Sequence, residues 1–202
     1  TGGPTTIDGL DLQPTDGDGI TSTAELTIKN VDFTLDSTGT NTFGIDHDSS
    51  NPLTVEQSTF NGPFSQFSAG DTPENVFGID TSSAPSAVTI NDNSFNDLRT
   101  GIQTRDEIDA ANIKRNSFNN IFASAIYIFG SANSGQTYTV SENTLTDVGE
   151  GIDVDATGST IDLSLISINE NDFSNADANF AERSLGFAVQ TNTEGPTTNS
   201  LD

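Results

Sequence analysis

The stretch INDNSFN at residues 90–96, followed by Gly-Ile at 101–102, decides the fold because its pattern recurs along the chain. In each copy, an aliphatic anchor precedes a phenylalanine or leucine by five positions. The pairs are Ile28 with Phe33, Val55 with Phe60, Ile90 with Phe95, Ile113 with Phe118, Val140 with Leu145, and Ile168 with Phe173. Successive anchors lie 27, 35, 23, 27 and 28 residues apart. Such a period predicts a solenoid in which each copy forms one coil.

Two further positions repeat with the anchors. An apolar residue two positions earlier gives the alternation typical of a strand with one buried face: Leu26, Leu53, Val88, Ala111, Tyr138 and Ile166. A small residue and then an apolar one follow each anchor, at a distance that varies: Gly44-Ile45, Gly78-Ile79, Gly101-Ile102, Ala125-Ile126, Gly151-Ile152 and Gly186-Phe187. The pattern therefore predicts strands in fixed register, separated by loops of different length.

Asparagine dominates a third repeated position, three residues after the anchor. Asn93, Asn116, Asn143 and Asn171 occupy it in four of the six coils. Asparagines stacked at a turn can hydrogen-bond from coil to coil and satisfy the backbone of the turn. We predict that these four residues form a structural ladder.

These repeats predict an all-β fold, a right-handed parallel β-helix of about six to seven coils. We expect a single β-helix domain over residues 1–190, with residues 1–24 as a degenerate first coil. Residues 191–202 are polar and contain Gly195-Pro196, so this tail is expected to leave the helix.

The string I-x-x-N-x-F, followed by G-I, resembles the coil repeat of the pectate-lyase-like right-handed β-helix superfamily. It occurs at residues 90–96 and again at 113–119 and 168–174, and the resemblance covers roughly residues 20 to 190. It implies a fold more than an activity, because this superfamily includes lyases, hydrolases, phage tailspikes, adhesins and surface proteins.

Charge narrows the choice of partners. The 202 residues carry 6 Lys and Arg against 30 Asp and Glu, a formal net charge of −24, and contain no Cys. Such a surface repels phosphate backbones and anionic lipid headgroups, so nucleic acid is not expected as a partner. No apolar run approaches the roughly 18 residues of a membrane span, so membrane insertion is not expected. We expect an extracellular, cell-surface or virion-surface protein.

Catalytic groups are sparse. A polysaccharide lyase of the resembled superfamily would use an Arg or Lys as base beside carboxylates that hold Ca²⁺, and Arg105, Lys114 and Arg115 could share a face. Surface ion pairing on an acidic rod explains them better. His47, the only histidine, falls in a column with Thr81, Thr104, Ile128, Val154 and Val189. No catalytic residue is therefore predicted, and an enzyme, if there is one, would be a polysaccharide lyase or a glycoside hydrolase.

A cation site has more support. The position after the apolar residue of each Gly-Ile or Ala-Ile pair is occupied in turn by Asp46, Asp80, Gln103, Tyr127 and Asp153. Stacking places Asp46 and Asp80 about 5 Å apart on the outer face, with Asp48 nearby. Carboxylates that close repel unless a cation screens them, which makes Ca²⁺ a candidate cofactor. A solvated acidic face is the simpler alternative.

Two functions remain open. The first is a non-catalytic structural or adhesive solenoid that assembles with itself, end to end or laterally. The second is a carbohydrate-binding or polysaccharide-cleaving β-helix of the tailspike or lyase type. Phe64 and Phe67, in the long loop at residues 61–77, would contact surface glycans by stacking on sugar rings, although such residues more often pin a loop to the core.

Overall fold

The chain folds into a parallel β-solenoid. The computed structural model describes residues 3–14, 17–36, 41–64, 75–83, 85–105, 108–129, 137–155, 165–174 and 189–192. Every strand pairing among them is parallel. The predicted all-β solenoid is therefore confirmed.

The first face of the solenoid is a seven-stranded sheet. Its strands, in spatial order, are β1 (Thr5–Asp8), β4 (Leu26–Lys29), β7 (Leu53–Glu56), β10 (Val88–Asn91), β13 (Ala110–Lys114), β15 (Thr137–Ser141) and β17 (Ile166–Asn169). Strands β4, β7, β10 and β13 of this face alternate buried and half-buried residues, as the sequence alternation predicts, whereas in β15 the adjacent Val140 and Ser141 are both buried.

Two further faces share one continuous sheet. The second face contains β2 (Asp11–Leu12), β5 (Asp32–Thr34), β8 (Thr59–Asn61), β11 (Ser94–Leu98) and β18 (Asp172–Ser174). The third contains β3 (Ile20–Ser22), β6 (Asn41–His47), β9 (Asn75–Thr81), β12 (Thr100–Thr104) and β19 (Val189–Asn192). The long strands β14 (Ser117–Phe129) and β16 (Thr144–Asp155) run through both faces and join them.

The predicted register holds along the anchors. Ile28, Val55, Ile90, Ile113, Val140 and Ile168 are successive Cα partners, and so are the residues five positions later. About five full turns form, with a shorter coil at each end. The count of six to seven is therefore slightly high for complete turns.

The last coil departs from the sequence pattern. Val189 pairs with Ile152, so Val189 rather than Phe187 continues the apolar column of the third face. Thr191, not Val189, consequently extends the column that begins at Ser22 and His47. Gly186-Phe187 lies outside the described residues, and β19 extends to Asn192, two residues into the expected tail.

A stack of phenylalanine rings fills the interior beside a column of glycines. Phe33, Phe60, Phe95 and Phe118 are fully buried and nearly parallel, with ring centroids 4.5, 4.8 and 4.9 Å apart. Each ring lies against the small residue of the preceding coil. A Cβ at Gly101 would be 2.6 Å from the Phe118 ring and 2.6 Å from the Ala125 carbonyl oxygen. The glycines are therefore required by contact with the rings.

The asparagine column forms a hydrogen-bonded ladder at the turn between the first and second faces. The Oδ1 of Asn116 accepts from both the backbone N and the Nδ2 of Asn93, each at 3.0 Å. Asn143 does the same for Asn116, and Asn171 for Asn143. Each Nδ2 also donates to the carbonyl of the anchor in the preceding coil, as Asn116 does to Ile90 at 2.8 Å. The turn thus satisfies its buried polar groups internally.

The residue before each ladder position has a left-handed backbone. These residues, none of them glycine, have φ between 51° and 60°: Asn30, Gln57, Asp92, Arg115, Glu142 and Glu170. Such a conformation disfavours side chains with a Cβ. Each of these residues directly precedes a ladder position that is hydrogen-bonded to the neighbouring coil. The ladder bonds therefore offset the backbone strain of the turn.

No helix in the described part of the chain is long and apolar enough to cross a membrane.

Gly101→Ala should destabilise the fold by about 2 kcal/mol, because the new methyl group overpacks the Phe118 ring and the Ala125 carbonyl. Urea unfolding followed by circular dichroism measures this. Gly3→Ala is the control, since a Cβ there meets nothing within 4 Å. Adding Phe118→Leu should recover part of the loss; no recovery would contradict the proposed ring contact.

Asn116→Ala should cost about 3 kcal/mol in the free energy of unfolding, because the buried backbone N–H of Asn93 loses its acceptor and the Ile90 carbonyl loses the Asn116 amide donor. The exposed Asn169, whose amide donates to Ser167, provides the matched control Asn169→Ala. Equal losses in the two variants would show that the ladder contributes no special stability.

Candidate functional site

The outward positions of the third face form one continuous column. Its members are successive Cα partners: Thr21, Asp46, Asp80, Gln103, Tyr127, Asp153 and Gln190. We call this set the third-face column. Strand alternation directs the side chains from Thr21 to Asp153 away from the core, so they form the outer surface of this face.

Several members of the column are nevertheless buried. Asp80 is 3% exposed, Gln103 9% and Asp153 8%. In-register neighbours cover one another, and Arg105 packs over Asp80 from the end of β12. A buried carboxylate on an outward position requires compensating partners, or a ligand that supplies them.

A cleft of about 450 Å³ opens beside the column. We call it the third-face cleft. Its lining combines rings, amides, guanidinium groups and carboxylates: Asn41, Asn75, Phe77, Arg99, Thr100, Gln103, Arg105, Ala123, Ser124, Tyr127, Glu150 and Asp153. A concave surface with a few converging polar groups and aromatic side chains is typical of a small-ligand site.

Arg105 is held in place at one end of the cleft. Its Nε lies 3.1 Å from the Asp80 Oδ1 in an ion pair. With its amide oxygen toward the guanidinium, Gln103 accepts from the Arg105 Nε and Nη2 at 2.9 and 3.0 Å. Burial still raises the pKa of Asp80 to about 6, although the Arg105 charge opposes the shift.

Tyr127 provides a ring and a hydroxyl in the middle of the cleft. Its hydroxyl donates to the Asp155 Oδ2 at 3.2 Å, and its ring centroid is 6.1 Å from that of Phe129. Burial, followed by the charge of Asp155, raises the pKa of Tyr127 to about 12. The phenol therefore stays protonated at neutral pH.

Asp153 lies at the other end of the cleft. Its Oδ1 is buried and has no hydrogen-bond partner among the described residues. Burial raises the pKa of Asp153 to about 6, and the nearby charges of Glu150 and Asp155 add to the shift. Glu150 itself accepts from the Ser124 hydroxyl at 2.7 Å.

The predicted cation ligands lie in the coils nearer the N-terminus. Asp46 and Asp80 are Cα partners, but Asp80 is paired with Arg105. Asp46 accepts from the Ser82 hydroxyl at 3.3 Å, and Asp48 accepts from Ser83. Burial, then the charge of Asp18, raises the pKa of Asp46. Within the described residues, no group of three or more His, Cys, Asp or Glu side chains is arranged to hold a metal ion.

His47 lies inside the solenoid and is fully buried. One ring nitrogen, Nε2, is 2.9 Å from the Asn51 carbonyl oxygen. The other, Nδ1, has no hydrogen-bond partner in the described part of the chain. His47 pairs with Thr81 and Ser22 as a member of an inward column, so it does not reach the third-face cleft.

The structure separates the three basic residues considered as lyase bases. Arg105 follows β12 on the third face, whereas Lys114 ends β13 on the first face. Arg115 occupies the turn after β13 and makes two hydrogen bonds of 2.8 Å to the Asp92 carboxylate.

Of the two predicted glycan contacts, only Phe64 lies within the described residues. Phe64 is half-buried and packs against the core. Its carbonyl accepts from the Asn120 Nδ2 at 2.7 Å, which fastens this part of the loop to the solenoid. Phe67 lies outside the described residues.

Sequence reasoning identified the third-face column but not the cleft. Arg99 and Glu150 were missed, because each lies one or two residues before a Gly-Ile pair, at a position that does not repeat from coil to coil. One signal could have indicated the cleft: along the column, the amide of Gln103 and the ring of Tyr127 come between the acidic residues Asp80 and Asp153.

Comparison with protein-family models, curated proteins and solved structures finds no match to this chain.

Asp153→Asn should stabilise the fold by about 1 kcal/mol at about pH 7 and have little effect at about pH 4. The folded state raises the pKa of Asp153 to about 6 from 3.8, so it binds this proton more readily than the unfolded state does. The parent therefore gains stability as the pH falls through about 6, and the amide removes that dependence. Urea midpoints across this range measure it.

Asp172→Asn, at an exposed position of β18, is the control for the change in net charge. A gain for Asp153→Asn that is equal at both pH values would show that desolvation of the carboxylate is not its cause.

Proposed function

We propose that this chain is a non-catalytic, extracellular adhesive β-solenoid of the pectate-lyase-like type, and that it binds a surface glycan in the third-face cleft. The observation that carries the proposal is the cleft itself, in which Tyr127 and Phe77 share a lining with amide, guanidinium and carboxylate groups. Carbohydrate binding, which the sequence left open as the second function, would then be the means of adhesion.

The lining suits a ligand with both apolar and hydroxyl-rich surfaces. An aromatic ring presents an apolar face, and the C–H face of a sugar can pack on it. Gln103 and Asn75 offer amides, while Arg99 and Arg105 donate and Glu150 and Asp153 accept. Sugar hydroxyls can pair with both kinds of group.

Several of these side chains are already ordered without a ligand. Arg105 is fixed by Asp80 and Gln103, Arg99 donates to Asn75, and Ser124 donates to Glu150. Binding therefore immobilises few rotatable side chains, which lowers the entropic cost of association. All contributing strands belong to one rigid sheet, so the groups keep their relative positions.

The spacing of Asp80 and Asp153 argues against these two carboxylates acting as a glycosidase pair. Asp80 and Asp153 have raised pKa values but stand three strand steps apart in the column. At about 4.8 Å per step this is about 14 Å, beyond the roughly 5–9.5 Å between the paired carboxylates of glycosidases. Arg105 is held by Asp80 in an ion pair and is therefore not free to act as a general base.

The extracellular location rests on charge and composition. A net charge of −24 keeps a rod of this size soluble and away from anionic surfaces. A neutral or cationic glycan is therefore a better partner for the cleft than a polyanionic one.

Glycan-array binding followed by isothermal titration tests the proposal. We expect Tyr127→Ala and Gln103→Ala to weaken binding at least about tenfold while the urea midpoint stays near that of the parent. Phe64→Ala is the comparison variant outside the cleft and should leave affinity unchanged. Loss of affinity in Phe64→Ala alone would assign binding to the loop instead, and absence of glycan binding by the parent would refute the proposal.

End-to-end self-assembly is a second candidate. The core columns are half-buried at both ends, at Ile7 and Leu12 and again at Ile168 and Phe173, whereas their inner counterparts are fully buried. Another copy stacked on either end would continue the columns.

Size-exclusion chromatography and negative-stain microscopy, in EDTA and in millimolar Ca²⁺, test this candidate. Filaments would support it, and their dependence on Ca²⁺ would also support a cation site at Asp46, Asp48 and Asp80. A monomer in both conditions would refute self-assembly of this chain.

A further inference from the structure

The Asp153 end of the third-face cleft contains an unmet requirement for a hydrogen-bond donor. The side chain lines the cleft, is 8% exposed and has no partner for Oδ1 among the described residues. Most buried polar atoms in proteins are satisfied, and an ionised carboxylate without a partner is costly. A cationic ligand beside this carboxylate would lower that cost.

The charges around Asp153 favour a cationic donor over a neutral one. Glu150 and Asp155 are its nearest charged influences, and both are acidic. Arg105 does not compensate for them because Asp80 and Gln103 occupy its guanidinium. A charged donor forms hydrogen bonds roughly twice as strong as a neutral one.

The cleft is also polarised in a way that orients such a ligand. Arg99 and Arg105 flank β12 on the side of the cleft nearer the N-terminus, while Glu150 and Asp153 lie two coils further along on β16. An ammonium group is repelled by the guanidinium side and attracted to the carboxylate side. The Tyr127 ring between them offers a π-face to a nearby cation.

We propose that Asp153 and Glu150 form a subsite for a protonated amine, so that the ligand of the third-face cleft is a glycan carrying free amino groups. This inference rests on the proposed glycan-binding function and specifies its ligand class. The ammonium group lies beside the Asp153 and Glu150 carboxylates, where its charge offsets the uncompensated charge of Asp153, and the sugar ring packs beside Tyr127.

Isothermal titration with three tetrasaccharides near neutral pH tests the inference. The probes are glucosamine, N-acetylglucosamine and glucose oligomers, which share a ring geometry and differ in the group at one carbon. We expect the glucosamine oligomer to bind at least about tenfold more tightly than the other two. Equal affinities would overturn the amine subsite while leaving glycan binding intact.

Two variants test whether Asp153 causes the preference for the glucosamine oligomer. Asp153→Asn should reduce the affinity for the glucosamine oligomer to that for the N-acetylated one, and should leave the other two affinities nearly unchanged. Asp172→Asn removes the same charge from an exposed position on another strand and should retain the preference. An equal loss in both variants would mean that the net charge, rather than the subsite, attracts the amine, and would overturn the inference.

A linear polyamine without sugar rings separates the two proposals. If the parent binds no oligosaccharide, the glycan-binding function fails. Polyamine binding that is lost in Asp153→Asn but kept in Asp172→Asn would still support the amine subsite. Failure to bind both the polyamine and the glucosamine oligomer would overturn it.

Discussion

A phenylalanine ring from one coil occupies the space that a glycine of the preceding coil leaves open, and the solenoid depends on this contact. A Cβ at Gly44, Gly78 or Gly101 would come within 2.7 Å of a ring in the next coil. Coils are held one strand spacing apart by backbone hydrogen bonds, so they cannot separate to make room. The one alanine of this column, Ala125, falls by register opposite the one leucine, Leu145. The two columns thus change together within a single chain.

The repeat allowed the inward half of the structure to be predicted from the sequence. Anchors, rings and ladder asparagines face the core or a buried turn, so every coil must solve the same packing problem with similar residues. The register followed from that regularity at all six anchors. It was wrong in the last coil, where Val189 rather than Phe187 takes the apolar position, because a Gly-apolar pair alone is a weak signal once the spacing to the anchor varies.

The candidate site could be predicted only in part, because outward positions are under no such common constraint. The alignment of Asp46 with Asp80 and the position of Asp153 followed from the column. The burial of Asp80 and Asp153 did not follow, since alternation assigns outward residues to solvent. Neither did the ion pair that commits Asp80 to Arg105, because Arg105 lies past the end of its strand.

The contrast between Asp80 and Asp153 explains why one end of the column would bind a ligand. Both carboxylates are buried, and burial raises the pKa of each to about 6. Asp80 has a guanidinium that lowers its cost, so the fold itself satisfies it. The charged groups that act on Asp153, Glu150 and Asp155, are both acidic, and one oxygen of Asp153 has no partner in the described chain. Because solenoid stability comes from the inward columns, the outward column can retain such a destabilising group, and a donor arriving in the cleft would relieve it.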